Sequence, residues 1–301
     1  MAMHNDELFI DDDVVRRLIS SQFPAWRNMP VRRLAGEGTD NAIFRIGSKL
    51  TARFPLRFAD PVSIQMRLVQ ESLAMGELHT ACPFPTPSPV ALGQPGYGYP
   101  LPWSVQSWIS GQTASPNVLA SSNAFTQDLA VLIRSLRAAD TRGRPFEGAG
   151  RGGDLKDSDE WVEECFRQSM NLLPVDRLRA LWAAFQKLPA PESLVMNHSD
   201  LIPGNLLVEG GRLVGVLDGG GFAPADPSLD LVAGWHMLDD HRRATFRKEL
   251  ACNDLEWWRG AAWAFQQAIG LVWYYQDSNP GMSALGRSTL ARIMNDKSLS
   301  E

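Results

Sequence analysis

The stretch 195–231, VMNHSDLIPGNLLVEGGRLVGVLDGGGFAPADPSLDL, constrains this chain more than any other part of it. Helical patterns lie on both sides, yet this stretch is made of short apolar runs cut by glycine and proline. LLVE and RLVGVL meet at Gly210-Gly211, a two-residue hairpin signal, so the two runs are predicted to pair antiparallel. That pairing brings Asp218, at the end of the second run, back beside Asn205, at the start of the first. Asp200 and Asn205 are five residues apart with Pro203 and Gly204 between them, which places both on one bent loop. Two oxygen ligands and one more carboxylate are thus expected to converge. Hard oxygen ligands in small number suit magnesium, which keeps waters and phosphate oxygens as its remaining ligands.

The rest of the chain divides around this segment. Asp11, Asp12 and Asp13 precede Val14, Val15, Leu18 and Ile19, so a short first helix is predicted. From Val31 to Phe54 the texture is strand-like, punctuated by Gly36, Gly38 and Gly47. Asp60-Pro61 reads as an N-cap followed by proline at the first helical position. The helix it starts is predicted to run through Ile64, Leu68, Glu71 and Met75 to about His79. The proline- and glycine-rich run from Cys82 excludes helix and holds two short strands. After Gly111 the pattern is mainly helical, with helices expected around 125–136, 159–170, 175–188 and 254–275.

Composition narrows the class. The 301 residues allow about two domains at ~150 residues each. A net charge of −5 argues against a phosphate-backbone binder, so no nucleic-acid partner is expected. Cys82, Cys165 and Cys252 lie far apart and form neither a disulfide framework nor a zinc spacing. No run of ~20 apolar residues is present, and the acidic start lacks a signal-segment pattern. These features imply a cytoplasmic protein, away from membranes and with no obligate protein partner evident.

The motifs then carry a resemblance. HSDLIPGN fits the H-x-D-x-x-x-x-N catalytic loop of phosphotransferases with a protein-kinase-like fold. Asp218-Gly219 fits the metal-binding aspartate after the next hairpin, and Asp226 and Asp230 in DPSLDL match a further pattern of the group. Over roughly residues 31–240 the sequence resembles the aminoglycoside phosphotransferase family, which includes macrolide and hygromycin kinases and is related to choline kinases. HxDxxxxN alone is a weak signal. The ordered set with the hairpin and three further aspartates is specific.

The resemblance implies an α+β, protein-kinase-like bilobal fold: a small antiparallel-sheet N-terminal lobe over 1–106, a hinge at 107–111 and a mainly helical lobe over 112–301. It implies that Asp200 is the catalytic base, or at least the acceptor that orients the attacking hydroxyl. Asn205 and Asp218 would hold Mg2+, while His198, Asp226 and Asp230 would support the loop and cap the helix beginning near Leu229. ATP or GTP would be the donor. Gly36 and Gly38 would let the backbone approach its phosphates, and Arg53 would contact the α- and β-phosphates. Arg53 stands in LTAR, where the family's strand carries lysine; it keeps the charge with a different geometry. Glu71 is its best candidate ion-pair partner, with Glu77, nearly two turns later, the alternative, and the Ser107 carbonyl and Ile109 amide would meet the adenine.

Other readings remain beside this one. Gly36 and Gly38 suit an ordinary hairpin turn, Glu71 a solvated helix face, and His198 a hydrogen-bonded structural role. DLKDSDEWVEE would attract a polycationic aminoglycoside, or is a solvated helix start whose acids favour the dipole. Trp257, Trp258, Trp263, Trp273, Tyr274 and Tyr275 would wall a macrolide-sized pocket, or are core. The first expected acceptor is an aminoglycoside-type antibiotic. The alternatives are a macrolide, an amino alcohol or a sugar, or a nucleotide-binding pseudokinase without turnover.

Overall fold

Capping chemistry starts the first elements. In this computed structural model, which describes residues 8–34, 41–148 and 151–299, the Asp11 carboxylate accepts the Asp13 N–H and opens α1 (Asp12–Gln22). Three strands follow: β1 (Val31–Arg33), β2 (Asn41–Ile46) and β3 (Leu50–Pro55). Asp60 then accepts the N–H and hydroxyl of Ser63 and starts α2 (Pro61–Ala81), as its sequence predicts. The proline-rich run 82–102 holds one strand rather than the expected two, β4 (Pro89–Gly93), and β5 (Trp103–Ser107) follows it.

The chain splits into two compact units. The first comprises residues 1–80, 85–110 and 218–220. Its five strands form one antiparallel sheet in the order β1-β2-β3-β5-β4. Alternate residues of β2 (Ala42, Phe44, Ile46) are buried, the period of a half-covered sheet. Phe44, Phe54, Tyr99 and Trp103 fill the core, with the Phe54 and Trp103 rings stacked at 4.5 Å.

The second unit comprises residues 81–84, 111–217 and 221–301. It contains β6 (Gln112–Thr113), α3 (Pro116–Leu119), α4 (Asn123–Arg137), α5 (Asp159–Gln168), α6 (Val175–Phe185) and β7 (Val195–Asn197). The hairpin β8 (Leu206–Glu209) and β9 (Arg212–Val216) comes next, then β10 (Ala223–Ala225), α7 (Val232–Met237), α8 (Asp240–Glu249), α9 (Asp254–Tyr274) and α10 (Pro280–Asn295). β8 pairs β9 antiparallel, with Gly210 and Gly211 both at positive φ (56° and 78°), the geometry that a tight hairpin turn needs. α9 is the central helix, buried along most of its length and packed on α10, α5, α6 and α7. Trp263 and Phe265 of α9 are fully buried, and Phe265 stacks on Trp182. Among the described residues, no helix is long and apolar enough to cross a membrane.

Candidate active site

The second unit carries the HSDLIPGN loop, and every polar group in it has a defined setting. Asp230 is buried and accepts the backbone N–H groups of His198 and Ser199 at 2.8 and 2.9 Å. Burial raises its pKa, opposed by the adjacent His198 and those two N–H donors. Asp230 therefore clamps the start of the loop. The helix expected near Leu229 is a short 3-10 turn over Leu229–Leu231, and α7 begins at Val232. His198 Nε2–H donates to the Leu217 carbonyl at 2.8 Å, tying the loop to the end of β9. Ser199 has φ +69°, a left-handed conformation that turns the chain into the loop.

Asp200 and Asn205 meet directly. Asn205 Nδ2 donates to the main-chain oxygen of Asp200 at 2.9 Å and to its Oδ2 at 3.0 Å. A carbonyl oxygen only accepts, so the amide nitrogen is the atom that faces Asp200. The atom left to ligate is Oδ1. Asp200 Oδ1 accepts from Gln267 Nε2 at 2.8 Å and from Arg151 Nη2 at 3.1 Å. The carboxylate thus has two donors on Oδ1 and one on Oδ2, which leaves Oδ2 room for a further proton donor.

Asp226 anchors the segment behind the loop. It is fully buried; its Oδ2 accepts Arg259 Nε (2.8 Å), Arg259 Nη2 (2.5 Å) and Trp263 Nε1 (2.8 Å), and its Oδ1 accepts the Ser228 N–H.

The Leu217 N–H donates to the Asn205 carbonyl at 2.8 Å, so the hairpin register sets the residue before Asp218 opposite Asn205. Asp218 has φ +60°, a conformation that aspartate tolerates better than most residues. From Asp218 to Gly220 the chain belongs to the first unit.

There, Arg53 of β3 donates to Asp218 Oδ1 at 2.8 Å. This corrects one expectation: the described residues hold no Arg53–Glu71 ion pair. Glu71 of α2 lies 3.5 Å from Arg67, one helical turn earlier. Burial raises the Glu71 pKa, while Arg67 and Arg53 pull it down and Asp218 pushes it up. Arg53, Glu71 and Asp218 line one cavity with Leu68, Met75 and Val105. Ser107 ends β5, its N–H donates to the Ser88 carbonyl, and its hydroxyl accepts the Ser88 N–H. Ile109 lies two residues beyond β5, outside any strand. Gly36 and Gly38 lie outside the described residues.

Magnesium is tested by the donor chemistry. Among the described residues, no group of three or more His, Cys, Asp or Glu is placed to hold a metal. The Asp218 carboxylate and Asn205 Oδ1 are each hard oxygen donors of the kind that suits an ion whose other ligands are phosphate and water.

Sequence reasoning missed Arg151, Gln267 and Arg259. Gln267 left a signal, a polar residue within an apolar helical run, but Gln266 beside it left the same one. Several residues of the two substrate clues make internal contacts. Asp154 caps a turn, Asp159 accepts from Trp182 and Gln186, Glu163 pairs with Arg179, and Glu164 pairs with Arg167. Trp257 and Trp263 are core, whereas Trp161 and Tyr274 are partly exposed.

The phosphotransferase enzyme family (APH) matches residues 31–264, which include all of these loop residues. The chain belongs to this family. It is a phosphotransferase. Solved structures agree on the protein-kinase-like α+β fold. The GDP and kanamycin complex of APH(2")-IIia superposes with a TM-score of 0.70 at 18% identity, covering 93% of this chain and 97% of that one. The GDP complex of aminoglycoside 2'-phosphotransferase-IIIa gives 0.71 at 19%, covering 95% and 99%. Macrolide 2'-phosphotransferase MphH from Brachybacterium faecium gives 0.60 at 17%, covering 92% and 98%. No curated protein matches the chain.

Proposed function

We propose that this phosphotransferase moves the γ-phosphate of ATP or GTP to a hydroxyl of a small molecule, with Mg2+ bound. The observation that carries the reading is the Asp200–Asn205 contact, in which Nδ2 is turned to Asp200 and Oδ1 is the amide atom left to ligate. Asp200 receives the proton of the attacking hydroxyl on Oδ2, the oxygen with one donor. Asn205 Oδ1 and the Asp218 carboxylate would hold the ion, which would supply charge neutralisation for the transferred phosphoryl group. Arg53 exchanges its contact with Asp218 for the α- and β-phosphates, with Glu71 near enough to bias it. Gly36 and Gly38 keep their proposed role toward the phosphates, and the segment 107–111 its role as the hinge, meeting the adenine through the Ser107 carbonyl and the Ile109 N–H. His198, Asp226 and Asp230 hold the loop in place. Phosphoryl transfer asks mainly for positioning and charge neutralisation, which is what these groups supply.

Aminoglycosides are the first acceptors to test, because related folds are named for them. A larger, more apolar acceptor of the macrolide kind is favoured by a separate observation. Trp161 packs against Gly270 and lies 6.2 Å from Trp273, partly exposed on the α9 side that carries Gln267, whereas Asp159, Glu163 and Glu164 nearby are already paired. The nucleotide and the acceptor complete the proposed partners, in a cytoplasmic setting.

The test is release of ADP or GDP with magnesium against aminoglycosides, macrolides, choline and simple sugars. Release stimulated by one compound and lost in Asp200→Ala supports the reading and names the acceptor class. Unchanged turnover in pure Asp200→Ala sinks the role given to Asp200. Nucleotide binding without stimulated release by any compound favours the pseudokinase.

A further inference from the structure

Gln267 of α9 donates through Nε2 to Asp200 Oδ1 at 2.8 Å. A carboxylate only accepts, so the amide oxygen must face the other way. That oxygen, Oε1, lies 3.0 Å from His236 Nε2 of α7. An amide oxygen also only accepts, so this ring nitrogen carries the proton. Nδ1 is then the acceptor, and the Thr289 hydroxyl of α10 donates to it at 2.8 Å. Every polar proton therefore points the same way, from Thr289 to His236 to Gln267 to Asp200. Thr289 and His236 are fully buried and Gln267 is 9% exposed. A flipped Gln267 amide would set N–H against N–H on one side and oxygen against carboxylate on the other.

We infer that Thr289, His236 and Gln267 form a one-directional hydrogen-bond relay that holds Asp200 Oδ1, so that Oδ2 is presented to the acceptor hydroxyl. This rests on the role proposed for Asp200. Arg151 grips Oδ1 as well, and Asn205 fixes Oδ2 from within the loop. His236 touches no reacting atom; it is a positioning residue that acts through Gln267. Burial pushes its pKa down to about 4, so the neutral ring persists at physiological pH. Three helices distant in sequence thereby set one carboxylate.

The test compares full-length Gln267→Leu, His236→Leu, His236→Gln and Thr289→Val with the wild type. The readouts are kcat, nucleotide KM, thermal unfolding and the 15N spectrum of the His236 ring. The ring is expected to be neutral and protonated at Nε2 in the wild type. Loss of orientation at a reacting group predicts that kcat falls by about 10- to 100-fold in Gln267→Leu and His236→Leu. Nucleotide KM is expected to stay near the wild-type value. His236→Gln keeps a donor near the Nε2 position and should recover most of kcat, and the Gln267→Leu/His236→Leu double variant should be no worse than either single. An Nδ1-protonated ring overturns the relay, whether or not any variant folds. So does full kcat in folded Gln267→Leu, or His236→Gln performing no better than His236→Leu. Wild-type protein without turnover on any acceptor overturns the proposed function instead, and the ring spectrum then decides the relay alone.

Discussion

Arg53 Nη1 and Asp218 Oδ1 lie 2.8 Å apart, joining the strand arginine to the carboxylate that follows the second hairpin run. The pair is partly exposed, with side-chain exposures of 23% and 46%. Pairs of this kind contribute about 0–1 kcal/mol, so the guanidinium exchanges one anion for another at little cost. Arg53→Ala is expected to raise the nucleotide KM by about tenfold, the loss of about 1.4 kcal/mol of charge-assisted contact, with little change in melting temperature. Arg53→Lys should lie between, since it keeps the charge without the fork. Steady-state kinetics with varied nucleotide checks both. A nucleotide KM unaffected by Arg53→Ala would remove Arg53 from the phosphate site.

Asp226 and Arg259 behave differently because both are buried, at 0% and 3% exposure. Removing one partner strands the other charge in a low-dielectric interior. Asp226→Ala should therefore cost about 3–5 kcal/mol, and it also leaves Trp263 Nε1 without its acceptor. The double variant Asp226→Leu/Arg259→Met is expected to cost less than Asp226→Ala alone. Denaturant unfolding of the three proteins decides the point.

His236 makes stability depend on pH in a defined direction. Its folded pKa of about 4 lies below the ordinary 6.5, chiefly through burial, so the unfolded chain binds the extra proton first. The contribution is complete above pH 6.5 and is lost as pH falls from there towards 4. Its full size is about 3 kcal/mol, because each tenfold difference in proton affinity between folded and unfolded chain is worth about 1.4 kcal/mol. In His236→Gln the midpoint difference between pH 7.5 and pH 5 should shrink. An unchanged difference would place the acid sensitivity on other groups.

Gly93 is filled by its neighbour. A Cβ there would stand 2.0 Å from Cε2 of buried Trp103, whose indole N–H donates to the Gln94 carbonyl. Gly93→Ala must push the indole off the Phe54 ring and is expected to destabilise the protein by about 1–3 kcal/mol or more. The Trp103 contribution to near-ultraviolet circular dichroism and the denaturant midpoint report it.

The elements legible in the sequence were those with local causes. Asp11 and Asp60 cap helices within three residues, and Gly210-Gly211 turns a hairpin whose register needs only neighbouring residues. The Asp200–Asn205 contact spans five residues of one bent loop and was open to the same reasoning. The arginine at position 53 was visible as well, but its partner was not. Glu71 and Asp218 are both acids at plausible spacing, and only packing in the first unit selects Asp218. The acidic run at 154–164 and the tryptophans of α9 read equally well as ligand sites or as scaffold. Pairing with Arg179 and Trp182, and burial of Trp257 and Trp263, settle most of them as scaffold.

By itself, then, the sequence determined the family, the order of elements and the loop that bears Asp200 and Asn205, because short-range spacing and turn chemistry act along the chain. Tertiary structure alone decided which glutamine of the Gln266-Gln267 pair faces Asp200, which proton His236 carries, and which acid receives Arg259. Those partners stand 67, 31 and 33 residues apart, for Gln267–Asp200, His236–Gln267 and Arg259–Asp226. A hydrogen bond across such a separation is chosen by which helix faces meet in the core, and adjacent positions on one helix point in directions about 100° apart.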